Sequence, residues 1–208
     1  MISKKIRTPS FAKKQNIQGS TLIEVIVSVI LLTLGLLALM ASQLRSVSGL
    51  TEAENKSLVS QSTEALAESM LMNATLTKAT GRDYSHNYAS YLTSPKQIAR
   101  ITEFLPTAGT EYTKNSIADE YKKQFEYELF KNLLEPESST VSSVSYAICL
   151  DKEEPAQPTI DSSGRMNANC KSGGTYTAIK VVWRSEGASK AGTNNRFNDY
   201  SYVLRVAN

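Results

Sequence analysis

Acidic residues are missing from the start of this chain: none precedes Glu24, and Glu24 is the only charged residue between Lys14 and Arg45. Proline is absent from residues 20–80, so nothing there forbids a long helix. His86 is the single histidine and lies in the tyrosine-rich stretch Tyr84–Tyr91, with no nucleophile and acid arranged around it in sequence. It reads as a solvated loop residue, and no catalytic residue is assigned. The two cysteines, Cys149 and Cys170, have 20 residues between them and form no C-x-x-C pair, which argues against metal or thiol redox chemistry. Gly187 and Gly192 have the spacing that opens a phosphate-binding loop. Thr193 and Asn194 stand where lysine and a hydroxyl residue are required, so no phosphate cradle follows. The triplets beginning at Asn55 and Asn73 fit N-x-S/T but carry no glycosylation context, and no internal repeat is evident. The sequence calls for no cofactor and no metal.

What the chain has is a long apolar run. Val25 to Leu44 is free of charge, and about 20 helical residues cross the roughly 30 Å hydrocarbon layer of a bilayer. Lys4, Lys5, Arg7, Lys13 and Lys14 precede it, so the positive-inside rule keeps the start of the chain in the cytoplasm and sends everything after Leu44 outward. A conventional secretory signal has a shorter apolar core, and Leu39, Met40, Ala41 is a poor cleavage match. An uncleaved anchor fits the same run. Glu24 could then be an interfacial acid that reaches back to water, whereas at mid-bilayer an ionised acid costs about 2.5–3.5 kcal/mol and calls for a cationic partner.

The order basic leader, Gly19, Ser20, Thr21, Leu22, Ile23, Glu24, apolar helix resembles the class III signal of type IV prepilins and pseudopilins. The resemblance implies cleavage between Gly19 and Ser20 by a membrane-embedded prepilin peptidase, and methylation of the new amino terminus at Ser20. Glu24, fifth after the cut, would neutralise that amine as the subunit docks into a growing filament. The family's usual first mature residue is phenylalanine, and serine stands in its place. The leader of residues 1–19 is longer than the shortest in the family.

Splitting the chain at that point changes the meaning of its charge. The whole is +3, the leader alone contributes +5, and the remainder is therefore −2. The apparent basicity is a topology signal and gives no general case for nucleic-acid binding. Residues 161–208 are locally +4, through Arg165, Lys171, Lys180, Arg184, Lys190, Arg196 and Arg205.

Three regions follow: the leader 1–19, a membrane or filament-core helix 20–44, and an extracytoplasmic head 45–208 that includes the second half of the long helix. About 160 residues beyond the membrane suffice for one compact domain. In an oxidising compartment Cys149 and Cys170 are expected as a disulfide, worth about 3 kcal/mol by loop-closure entropy. Leu58, Val59, Ala65, Leu66, Ser69, Met70, Met72 and Leu76 recur at helical spacing, while Glu52, Glu54, Glu64 and Glu68 point elsewhere. The pattern predicts one long helix, apolar all round and then amphipathic, with Gly35 and Gly49 as its most bendable points. Both Met70 and Met72 read as core filling.

A second helix is signalled by Ser116 and Asp119 in a capping-box-like pair and by Ile117, Tyr121, Phe125, Leu129 and Leu133 at intervals of four. It should stop at Leu134 or Glu135, before Pro136. Alternation in Val144–Leu150, Ile179–Trp183 and Tyr200–Val206 predicts three strands in an antiparallel meander, joined by the turn-rich stretches 151–174 and 185–199.

This is an α+β layout: a long N-terminal helix and a C-terminal antiparallel sheet of three or four strands with one disulfide. It is also what the type IV pilin resemblance implies for the fold. The head is similar to the PilV group of minor pilins through a helix ending in Leu133 and Leu134, a strand reaching Cys149, Leu150 and Asp151, and a later strand closing on Val182, Trp183 and Arg184. That resemblance implies a structural, non-enzymatic subunit that helps prime type IV pilus assembly at or near the filament tip. Its head would face the periplasm from the inner membrane before assembly, and the cell surface afterwards. The partners implied are the prepilin peptidase, the inner-membrane assembly machinery, other minor pilins, the major pilin and a large tip adhesin. A pseudopilin of a type II secretion system shares signal and fold. A weaker alternative is DNA binding by the +4 segment during uptake, with Trp183 or a tyrosine stacking on bases.

Overall fold

The computed structural model describes residues 20–78, 84–101, 103–104, 112–137, 139–171, 173–187 and 196–207. The basic leader, Gly19, Lys190, Gly192, Thr193 and Asn194 lie outside the described residues. The chain divides into two units between Leu50 and Thr51.

In the first unit the described residues form part of α1, the helix Ser20–Met72. From Leu22 to Leu44 every side chain is exposed. The hydroxyls in this stretch are satisfied within the helix: Ser28 Oγ donates to the Glu24 carbonyl at 2.7 Å and Thr33 Oγ1 to the Ile30 carbonyl at 2.9 Å. Such back-bonding removes the polar demand that would penalise a helix in lipid. The helix continues through Gly35 and Gly49, and a Cβ at either would meet nothing within 4 Å. Neither glycine is needed for packing.

The second unit begins with the rest of α1, where the pattern becomes one-sided. Val59, Ser62, Thr63, Leu66, Ala67, Ser69 and Met70 are buried. The expected stripe is right at Val59, Leu66, Ser69 and Met70. It fails at Ala65, which is exposed, at Met72, which is 85% exposed, and at Leu76, which has left the helix. Ser62 and Thr63 take the buried places. Thr63 can do so because its hydroxyl donates to the Val59 carbonyl at 2.6 Å. Past Met72 the chain turns and forms the hairpin β1 (Thr75–Lys78) and β2 (Tyr84–Asn87), strands with no counterpart in the sequence reading.

A 3₁₀ turn, Ala89–Tyr91, leads into β3 (Thr93–Gln97), and α2 spans Lys114–Leu129. The capping pair of α2 is Thr113 and Ser116, three residues earlier than Ser116 and Asp119. The Thr113 side chain accepts from the Ser116 N–H while Ser116 Oγ accepts from the Thr113 N–H. After Leu129 the helix widens into a π-helical turn, Phe130–Leu134, closed by Glu135 N–H donating to the Phe130 carbonyl. It therefore stops where Pro136 predicts.

The remaining strands are β4 (Val141–Asp151), β5 (Thr159–Ile160), β6 (Met166–Asn167), β7 (Tyr176–Glu186) and β8 (Phe197–Arg205). One four-stranded sheet runs in the order β3, β4, β7, β8, every neighbouring pair antiparallel. The three predicted strands are its β4, β7 and β8; β4 and β7 extend further than expected at both ends, while β8 begins three residues earlier and ends at Arg205, one residue before Val206. The fourth, β3, contains Pro95 and so escapes a pattern search. It is an edge strand, where a missing N–H costs no ladder bond.

One sheet face carries Val144, Tyr146, Ile148, Ile179, Val181 and Trp183. These join Val59, Leu66 and Met70 of α1 and Phe125, Leu129 and Leu133 of α2 in a single core. Phe125 meets Tyr146 edge to face at 5.2 Å, and Trp183 stacks on Tyr200 at 5.6 Å. The opposite face is also buried over Ser145, Ala147, Ala178, Lys180 and Val182. The β4–β7 connection covers it, pinned at Cys149–Cys170 by a disulfide of 2.00 Å and carrying the small β5–β6 ladder.

Candidate functional sites at Glu24 and beneath the connection

Glu24 sits in α1 among Leu22, Ile23, Val25 and Ile26, all exposed, Leu22 at 69%. Its carboxylate is the lone charge on an apolar cylinder. From Leu22 to Leu44 the helix rises about 33 Å at 1.5 Å per residue, enough to span a membrane. An exposed apolar surface of that extent is of the kind that marks membrane or protein contact. Ser20 belongs to α1, and Gly19 on the other side of the expected cut falls outside the described residues.

The cysteines form the disulfide expected of them. Beside it lies a site that sequence reasoning missed. Lys180, counted above among the seven basic residues of 161–208, is completely buried and faces Asp151, equally buried, at 2.5 Å. Lys180 Nζ also donates to the carbonyls of Ala156 at 2.8 Å, Ala168 at 2.9 Å and Asn169 at 3.3 Å. Asp151 accepts from the main-chain N–H of Lys152, Ala156 and Lys171. Burial works against the Asp151 charge. The Lys180 ammonium and the N–H groups of Lys152 and Lys171 outweigh it and hold the carboxyl below its usual range.

Apart from the ion pair itself, every contact here is between a charge and the backbone, with both ends of the pair saturated. The pair therefore organises a loop and offers no lone pair or proton to a substrate. Gly174 completes the clasp, because a Cβ there would lie 2.3 Å from the Asp151 carbonyl carbon. The sequence hint was a base inside one apolar run and an acid closing another, which burial statistics alone read as solvated.

A second polar contact ties α2 to the sheet. Glu126, buried on α2, accepts from Lys96 Nζ of β3 at 2.6 and 2.8 Å and from the Tyr146 hydroxyl of β4 at 2.5 Å. Burial, followed by the hydrogen bond to Glu126, raises the Tyr146 phenol. His86 is not in a loop. It lies in β2, half-buried, with Nδ1 enclosed and the ring stacked on Tyr88 at 6.2 Å. A cleft of about 450 Å³ beside it is lined by Thr77, Ser85, Leu92, Leu150 and Thr177. Among the described residues no group of three or more metal-ligating side chains comes together.

The basic segment is less available than its composition suggests. Besides buried Lys180, Arg184 is held in a two-pronged pair with Asp199 at 2.6 and 2.9 Å, and Arg165 lies 3.7 Å from Asp161. Arg205 stacks over the Tyr176 ring at 4.8 Å, and Trp183 is buried rather than presented for stacking. Against family models, curated proteins and solved structures, the chain matches none.

Proposed function

We propose that this protein is a minor pilin, a structural subunit of a type IV pilus anchored and assembled through α1. The reading is carried by one observation: an isolated glutamate on a fully exposed apolar helix that is long enough to span a bilayer. The glutamate stands five residues after the glycine of a basic leader. In this reading the peptidase cuts between Gly19 and Ser20, the new amine is methylated, and its ammonium meets the Glu24 carboxylate as the subunit leaves lipid for the helical core of the filament. The α+β head, with a type IV pilin fold, engages the other minor pilins near the tip. No catalytic chemistry is asked of it.

The decisive experiment pairs mass spectrometry with two substitutions. The mature polypeptide should begin at Ser20 and carry one added methyl group. Gly19→Leu should leave the leader attached. Glu24→Ala should be cleaved and inserted normally but be missing from sheared filaments. An unprocessed native start, or normal recovery of Glu24→Ala from filaments, overturns the reading. In a deletion strain the phenotype should be loss of pili and twitching. Loss of exoprotein secretion alone would assign the chain to a secretion pseudopilus instead.

A further inference from the structure

The two edges of the main sheet are treated differently by the sequence. The β3 edge is blunted: it has five residues, Pro95 lacks an N–H, and its register against β4 shifts between Thr93 and Lys96. Proline, irregularity and shortness are the usual means of preventing strand addition. The β8 edge has none of them. It runs nine residues in unbroken register with β7, from Glu186 opposite Phe197 to Ala178 opposite Arg205.

The hydrogen-bond phase of that ladder is fixed at both ends, by Gly187 N–H on the Arg196 carbonyl and Val206 N–H on the Thr177 carbonyl, each at 2.8 Å. Even-numbered residues of β8 therefore turn their main-chain groups toward β7. Asp199, Ser201, Val203 and Arg205 turn theirs away from it. No main-chain hydrogen bond reaches these four among the described residues.

We infer that this edge pairs with the β8 edge of a second copy of the chain, antiparallel about a two-fold axis at Tyr202. The charges select the occupant and the register. With Tyr202 on the axis, Asp199 of one copy stands opposite Arg205 of the other, twice by symmetry, and each Ser201 faces a Val203. Moving the axis by one residue either way sets Asp199 against Val203 or Ala207 and loses both pairs. Opposite charges in directly facing positions favour a strand pair, and a self-complementary patch is what a two-fold interface requires. Each facing pair exchanges two main-chain bonds. The Asp199 and Arg205 side chains already lie on the same sheet face, Asp199 held by Arg184 and Arg205 by the Tyr176 ring and the Glu153 carbonyl at 3.2 Å, so pairing would add a further partner to each. The inference does not depend on the filament reading.

The test uses the full chain in detergent. Ser201→Cys and Val203→Cys proteins are prepared separately and mixed under mild oxidation. A covalent dimer should form in the mixture and not in either protein alone. Adding Val203→Pro to the Ser201→Cys protein should abolish it, because the proline removes an outward N–H while leaving every bond to β7 intact. Retained melting temperature and an intact Cys149–Cys170 bond would show that this variant folds. A protein that stays monomeric when concentrated overturns the inference. So does cross-linking that is equal for all pairings, or unchanged by Val203→Pro, since either would assign the association to the apolar helix.

Discussion

A buried ammonium and carboxylate in contact are worth little net stability as a pair, yet removing one strands the other. Lys180→Met should therefore destabilise the second unit by about 3–5 kcal/mol, as read by urea denaturation. Adding Asp151→Asn to Lys180→Met should recover part of that loss. The same pair sets an acid limit. Asp151 titrates below its unfolded value of about 3.9, so its contribution is fully present above that pH and disappears as pH falls through the lower folded value. Melting temperature should hold between about pH 5 and 7 and drop below about pH 4, and Asp151→Asn should flatten that drop. At Gly174 the argument is steric. Alanine would force the chain off the Asp151 carbonyl, so Gly174→Ala should be at least as damaging as Lys180→Met, whereas Gly49→Ala should be neutral or slightly stabilising.

Among the elements, α2 offers two graded tests. Thr113→Ala removes half of the capping box and should cost about 1 kcal/mol. Leu129→Ala, at a position with no exposed surface, should cost about 2–5 kcal/mol by thermal denaturation. Legibility also varied by element. Strands β4, β7 and β8 and the body of both helices were readable because their apolar residues repeat with the period of the structure that buries them. The Thr113 cap was missed since Ser116 fits a capping box from either end, as cap or as third residue. β3 was hidden by Pro95, and the β1–β2 hairpin has four-residue strands without a fully buried side chain, so no burial pattern marks it. Met72 fits the helical period but lies at the end of α1, where the chain turns away and leaves it exposed among the described residues. The second buried face of β4 and β7 was unreadable for a different reason. A strand covered by an irregular connection can keep a lysine and an aspartate, and the partners that make this tolerable are carbonyls and amides, which every residue has. At Glu24 the sequence alone carries the assignment, because the helix around it supplies no side-chain partner among the described residues.

For the whole molecule, the division between Leu50 and Thr51 separates a unit whose described side chains are all exposed from one with a closed core and a disulfide. A polypeptide of residues 51–208 should be water-soluble and unfold in one cooperative step. Reduction should lower its midpoint without abolishing the transition, because Lys180 still gathers the connection when the sulfurs are separated. Calorimetry with and without reductant reads both. Loss of all cooperative unfolding on reduction would mean that the disulfide, and not the ion pair, is what orders the connection.

The position of Lys180 has a practical corollary. An amine-acylating reagent applied to the native protein should modify the solvent-facing lysines and spare this one, which has neither a free electron pair nor an open approach. The appearance of its acylated tryptic peptide would then time the opening of the second unit, giving a clock for unfolding that needs no optical probe.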